Sequence, residues 1–281
     1  MPELPEVETV RSVLQEILPG YRITSISSNR DKMLRGQNPG YFEAGLKGRR
    51  VDTVERRGKF LLIRLDQKTL LIHLGMTGQI FACSRKDGAC APSPRQDLPD
   101  KHTHLRIGFT DGMMLYFRDV RMFGRYSLID EEVESALFRG MGPEPLGSGF
   151  TARGLFQWIQ GRRTSIKALL LDQRFVAGIG NIYADESLFR AGIHPAAVAG
   201  GLSIEQCRKL HRAIRKVLRE AIFSGGTTLS DYLDPKDRKG TFQWKLRVYG
   251  REGEPCFRCR TPVQKSVVAQ RGTHFCPQCQ R

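Results

Sequence analysis

Gly140-Met141-Gly142-Pro143-Glu144-Pro145-Leu146-Gly147-Ser148-Gly149 separates two halves of different periodicity. Glycine and proline at this density favour turns and linkers over regular structure. Before the stretch, short β-branched and aromatic runs alternate with turn signals. After it, apolar residues recur at helical spacing. The chain therefore reads as α+β with two domains, and 281 residues give each domain room for its own core. We place an N-terminal domain at 1–139, a linker at 140–150, a helical domain at 151–245 and a cysteine-bearing end at 246–281.

In the first half, strands are expected at 23–28, 51–57, 60–65, 70–74, 105–109 and 114–117. Asp111-Gly112 is a hairpin turn signal between the last two. A helix over 5–18 carries Val7, Val10, Leu14, Ile17 and Leu18 at helical spacing, and Pro19-Gly20 stops it. This is the pattern of a β-sandwich or barrel with a helix packed on it. Residues 82–102, rich in Pro, Ser, Gly and charge, predict an exposed loop. In the second half, Ser203-Ile204-Glu205-Gln206 reads as a capping box. The helix it opens has Ile204, Cys207, His211, Ile214, Leu218 and Ile222 on its expected inner face, and Gly225-Gly226 ends it.

The net charge of +16 favours a polyanionic partner, because neutralising phosphates releases condensed counterions. Residues 236–281 hold eleven Lys/Arg against three Asp/Glu, a net of +8, which concentrates the excess in one segment. No apolar run is long enough to span a bilayer and no signal-like start is present, so no membrane partner and a cytoplasmic, nucleoid-associated location are expected. Seven cysteines in a reducing compartment suggest metal ligation. Cys256-Phe257-Arg258-Cys259 and Cys276-Pro277-Gln278-Cys279 are two knuckles separated by sixteen residues. Such a pair places four thiolates on one tetrahedral zinc and leaves no position for water, so the ion is expected to be structural. Segments 267–269 and 272–275 between the knuckles predict a hairpin with Arg271 at its tip.

Three further segments carry polar chemistry. The chain begins Met1-Pro2-Glu3-Leu4-Pro5-Glu6. Removing Met1 would leave Pro2 with a secondary amine, neutral in part near pH 7 and able to attack a sugar carbon, with Glu3 beside it as a proton donor. Asp172-Gln173-Arg174-Phe175-Val176-Ala177-Gly178-Ile179-Gly180-Asn181 combines a sharp glycine turn with a helix start. Helix-start N–H groups suit a phosphate, although spacing alone gives equal weight to an ordinary turn between packed helices. His73-Leu74-Gly75-Met76-Thr77-Gly78 and Phe117-Arg118-Asp119-Val120-Arg121-Met122-Phe123-Gly124 could send Arg, Met and Phe into a duplex. Taken singly, Met and Phe fit a core better.

The start PELPEVE, the turn HLGMTG, the segment RDVRMFGR, the run LLDQRFVAGIGNIYADESLFRAGIHP, then GGTTLSDY and the paired knuckles occur in one order. Together they resemble the bacterial formamidopyrimidine-DNA glycosylases of the Fpg/Nei superfamily over nearly the whole chain. The resemblance implies an N-terminal β-sandwich with flanking helices, a helix-two-turn-helix domain with a lesion-recognition loop, and a β-hairpin zinc finger. It also implies a monomer that binds double-stranded DNA with oxidised bases or abasic sites in a cleft between domains. The implied activity is release of 8-oxoguanine and formamidopyrimidines, followed by strand cutting through β- and δ-elimination.

Residue by residue, Pro2 resembles the nucleophile, Glu3 the acid, Glu6 a supporting carboxylate and Lys59 the lysine near the lesion phosphate. His73, Asn181 and Arg271 resemble phosphate contacts. Met76, Arg121 and Phe123 resemble the trio that fills the gap of a flipped nucleotide. Lys167 matches a basic residue ahead of the two-turn motif, grouped with the DNA contacts. Ser230 and the loop Pro235-Lys236-Asp237-Arg238-Lys239-Gly240 depart from the pattern, which bears on base preference. Cys83 and Cys90 are expected as loop thiols and Cys207 as helix core. An endonuclease VIII-like enzyme for oxidised pyrimidines is the alternative within the superfamily, although Leu4 departs from its usual start. A non-catalytic zinc-ribbon nucleic-acid-binding protein is the alternative outside it.

Overall fold

A computed structural model describes residues 2–29, 31–84, 98–229 and 232–281. They divide into two compact units, Met1–Arg139 with Ser224–Thr241, and Gly140–Phe223 with Phe242–Arg281.

The first unit opens with helix α1 (Leu4–Ile17), started by a reciprocal Glu3/Glu6 capping box and a proline in its first turn. Its Val7, Val10, Val13 and Leu14 are buried. Two antiparallel four-stranded sheets follow. One has the order β1 (Ile23–Ser28), β6 (Thr103–Phe109), β7 (Met113–Asp119), β5 (Gly78–Ser84). The other has the order β2 (Val51–Arg57), β3 (Phe60–Leu65), β4 (Lys68–His73), β8 (Arg125–Ile129). Ile80, Ile107, Leu115 and Phe117 from the first sheet share one core with Val54, Ile63, Ile72 and Tyr126 from the second, as the sandwich reading requires. Asp111 (φ 63) and Gly112 (φ 76) form the β6–β7 turn, with the positive φ pair that a tight hairpin needs. Helix α1 packs on β2 and β3, helix α2 (Pro39–Leu46) packs on β1 and β8, and α3 (Glu131–Phe138) follows β8.

Strands β5 and β8 and helix α2 were not expected from the sequence. Residues 82–84 finish β5, so Cys83 lies in a strand and not in a loop. Residues 85–97 of the expected loop, with Cys90, lie outside the described residues.

The second unit contains α4 (Ala152–Ile159), α5 (Ile166–Leu171), α6 (Asn181–Ala191) and α7 (Ile204–Phe223), then the hairpin β9 (Gln264–Val268) and β10 (Arg271–Phe275). The α7 capping box forms, with Ser203 N–H donating to Gln206 Oε1 at 2.8 Å and Gln206 N–H to Ser203 Oγ at 3.2 Å. Its buried stripe is Cys207, Leu210, Ala213, Ile214, Val217, Leu218 and Ala221. Ile204, His211 and Ile222 lie at the margin, because Leu210 and Val217 centre the stripe. No described helix is long and apolar enough to cross a membrane.

Candidate functional site

Pro2 is buried in the first unit, and Glu3 and Glu6 are each 2% exposed. Glu3 caps α1 in extended conformation, its carboxylate accepting the Glu6 N–H. Its own N–H donates to Glu6 Oε2 at 2.8 Å. The other Glu6 oxygen accepts the Thr227 N–H at 2.7 Å, and the Tyr232 hydroxyl donates to the Glu6 carbonyl at 3.2 Å. Burial, and then the Glu6 charge, push the Tyr232 phenol well above its usual range, so it remains a donor. Glu6 thus ties the chain start to loop 224–241. Gly226 has φ +85, and a Cβ there would lie 2.9 Å from Glu6 Oε1. A side chain would be strained and would also displace the carboxylate.

The same loop closes on itself through Gly240 N–H to Thr228 Oγ1 and Thr228 Oγ1 to the Tyr232 carbonyl, both 2.9 Å. Asp237 (φ 61) supplies a left-handed residue to this loop. The buried Asp234 accepts the Lys236 and Arg238 N–H groups, each at 2.9 Å. Ser230 lies outside the described residues.

Lys59 follows Gly58 in the β2–β3 turn, and the Phe60–His73 register sets it close to His73. Burial, and then the charges of Lys59, Arg35 and Arg125, push His73 down to about 4. Its Nδ1 accepts the Gly75 N–H at 3.1 Å, so the neutral ring carries its proton on Nε2. The two polar turns meet at Asp119, which is fully buried. Its carboxylate accepts Thr77 Oγ1 at 2.5 Å, Arg121 N–H at 3.2 Å and Gly124 N–H at 2.7 Å. A Cβ on Gly75 would come within 2.5 Å of the Phe123 backbone, so the turns touch directly. Met76 is 40% and Phe123 47% exposed, and the exposed Arg121 guanidinium stands 4.7 Å from the Phe123 ring centroid. None of the three is core.

In the second unit, Asn181 is the first residue of α6, and its Nδ2 donates to the Gly272 carbonyl at 2.9 Å. Arg271 is exposed and opens β10 opposite Val268, one residue beyond the Ala269-Gln270 turn rather than at the tip. Lys167 departs from the expected surface contact, because its side chain has no exposed area. Its ammonium lies 2.6 Å from Asp185 Oδ1 and donates to Thr273 Oγ1 at 2.7 Å and the Gly272 carbonyl at 3.2 Å. A phosphate could reach it only by displacing these partners. Asp185 and Glu186, to which the sequence pattern assigns no role, anchor the C-terminal module on α6. Asp185 Oδ2 accepts the His274 N–H at 2.9 Å, and Glu186 accepts the N–H groups of Arg247, Val248 and Tyr249.

The sulfurs of Cys256, Cys259, Cys276 and Cys279 lie within 4.8 Å of one another. Arg258 N–H points to Cys256 Sγ and Cys279 N–H to Cys276 Sγ, both at 3.4 Å, as in a knuckle that stabilises thiolate charge. Four convergent sulfurs with backbone donors behind them fit one tetrahedral zinc. Cys207 is fully buried in α7, and burial pushes its thiol up to about 11, consistent with helix core.

Three family models match in order. They are the formamidopyrimidine-DNA glycosylase N-terminal domain at 1–126, the formamidopyrimidine-DNA glycosylase H2TH domain at 141–232, and the zinc finger found in FPG and IleRS at 253–281. A curated formamidopyrimidine-DNA glycosylase of Herpetosiphon aurantiacus is 44% identical over 282 residues, covering 100% of both chains. The solved MutM (FPG) protein of Thermus thermophilus is 43% identical, covers 99% of this chain and 98% of that one, and superposes with a TM-score of 0.85. Lactococcus lactis Fpg in complex with DNA containing an abasic site is 36% identical over 99% of each chain, with a TM-score of 0.87. A MutM bound to DNA containing carbocyclic 8-oxo-G is 36% identical over 100% of each chain, also at 0.87.

Proposed function

The chain belongs to the formamidopyrimidine-DNA glycosylase family, and we propose that it acts through the amine of Pro2 with Glu3 as the acid. The protein is a base-excision-repair DNA glycosylase with abasic-site lyase activity. It removes oxidised purines from duplex DNA and carries one structural zinc on Cys256, Cys259, Cys276 and Cys279.

The observation that carries the residue assignment is the buried Pro2-Glu3 start, its Glu3 N–H held by Glu6, which loop 224–241 holds in turn. A base inside the stack hides the sugar C1′, so the nucleotide must first be extruded, at a cost of about a few kcal/mol. Met76, Arg121 and Phe123 occupy the vacated space. Lys59, the Nε2–H of His73, Asn181 and Arg271 hold phosphates. The Pro2 nitrogen then bonds to C1′, the base departs with a proton, and the C1′–O4′ bond opens as Glu3 protonates O4′. The resulting iminium acidifies the C2′ hydrogen. Its loss expels the 3′ phosphate, and a second elimination expels the 5′ phosphate, leaving a one-nucleotide gap with phosphate at both ends.

Borohydride reduction during turnover on 8-oxoguanine DNA tests the assignment. Peptide mapping is expected to find the sugar remnant on the N-terminal proline, and an adduct on a lysine would overturn the role of Pro2.

A further inference from the structure

We propose that Lys167 and Asp185 form a buried clamp that positions Arg271, and that Lys167 does not touch DNA itself. This rests on the reading of Arg271 as a phosphate contact. Lys167 and Asp185 have no exposed side-chain area and lie 2.6 Å apart. Isolated charges are costly to bury, so each requires the other. Both then grip the residues that follow Arg271. The Lys167 ammonium donates to the Gly272 carbonyl and to Thr273 Oγ1, and Asp185 Oδ2 accepts the His274 N–H. Asn181 Nδ2 donates to the same Gly272 carbonyl. The Thr273 hydroxyl also donates to the Arg271 carbonyl at 2.9 Å.

Three consecutive residues of β10 are therefore fixed to α5 and α6, through Lys167, Asn181 and Asp185, while the Arg271 side chain stays exposed. An exposed arginine loses rotamer and backbone freedom when it grips a phosphate, and a backbone fixed beforehand lowers that cost. Lys167 and Asp185 are positioning residues that act through Arg271.

Salt dependence separates positioning from contact, because each phosphate neutralised by Lys or Arg adds about 0.9 to the slope of log K against log salt. Binding to a duplex carrying an abasic-site analogue is measured for wild type, R271A, K167M and K167M/R271A, with zinc content determined on each. The clamp predicts that R271A and K167M each lower the slope by about 0.9, and that the double variant lowers it no further. An additive loss of about 1.8 would mean that Lys167 holds its own phosphate and would overturn the clamp. An unchanged slope in zinc-loaded K167M would overturn it too.

If K167M loses zinc, K167M/D185N replaces it, since removing both charges leaves no buried charge unpaired. If R271A alone leaves the slope unchanged, the reading of Arg271 fails, and the clamp is judged on hydrogen exchange. Amides 271–274 are expected to exchange faster in K167M or K167M/D185N, and unchanged protection there rejects the clamp.

Discussion

Glu6 divides its carboxylate between two structures, with one oxygen on the Glu3 N–H and the other on the Thr227 N–H. Glu6→Gln replaces one acceptor with a donor, so one buried N–H faces an N–H. The expected cost is about 1–3 kcal/mol, read by chemical denaturation, with slower base release. Unchanged rates would remove Glu6 from the site. Glu3→Gln keeps shape while deleting the acid, so single-turnover base release should fall far more than DNA affinity. His73 gives a pH signature. Its folded value of about 4 lies below the unfolded 6.5, so the unfolded chain binds the extra proton between those limits. Stability conferred by a neutral His73 is thus intact above pH 6.5 and falls as the pH drops towards 4, by ~3 kcal/mol in total. Denaturation of wild type minus His73→Gln should show that slope, and a flat difference would mean His73 is not held neutral. The chain start, the knuckles and both polar turns could be picked out from residue type and order. Asp119 and Asp185 could not, because their roles depend on N–H groups of distant segments that no local spacing reveals.

Elements were legible where local signals agreed. Strands β2 and β3 fell on their predicted spans because apolar runs end at turn residues, and α7 followed from its capping box. Helix α2 was missed because Pro39-Gly40-Tyr41-Phe42-Glu43-Ala44-Gly45-Leu46 has poor helical propensity. It forms through the Asn38 cap and the burial of Phe42 and Leu46. Strand β8 was missed because Arg125-Tyr126-Ser127-Leu128-Ile129 continues directly from a polar turn and becomes a strand by pairing with β4. The two turns that meet at Asp119 yield a prediction at this scale. Asp119→Asn would set an amide donor against one of three donors and let the turns separate. Base removal from duplex lesions should drop more than cleavage of a preformed abasic site, where no base must be extracted. Equal losses on both substrates would argue that Asp119 supports only the fold.

The molecule divides its chemistry between its two compact units. Pro2, Glu3, Glu6 and loop 224–241 belong to one, while Lys167, Asn181, Arg271 and the zinc ligands belong to the other. The first unit draws its stability from a sandwich core of apolar side chains, and among the described residues the four cysteines of the C-terminal module pack in a small cluster with Phe189, Val248 and Val263. The zinc ligands sit inside that cluster, so metal binding is coupled to the folding of the module. Zinc removal by a strong chelator should therefore be local. Amides 264–275 are expected to lose hydrogen-exchange protection, while those of β3, β4 and β8 keep theirs. Affinity for abasic-site DNA should fall and its salt dependence should flatten, because the segment 242–281 carries eight Lys/Arg against two Asp/Glu, a net charge of +6, and would no longer be held in shape. The N-terminal amine would remain intact, so borohydride trapping at saturating DNA and low salt should recover much of the adduct. Loss of protection in both units together, or full affinity without zinc, would refute this division of labour.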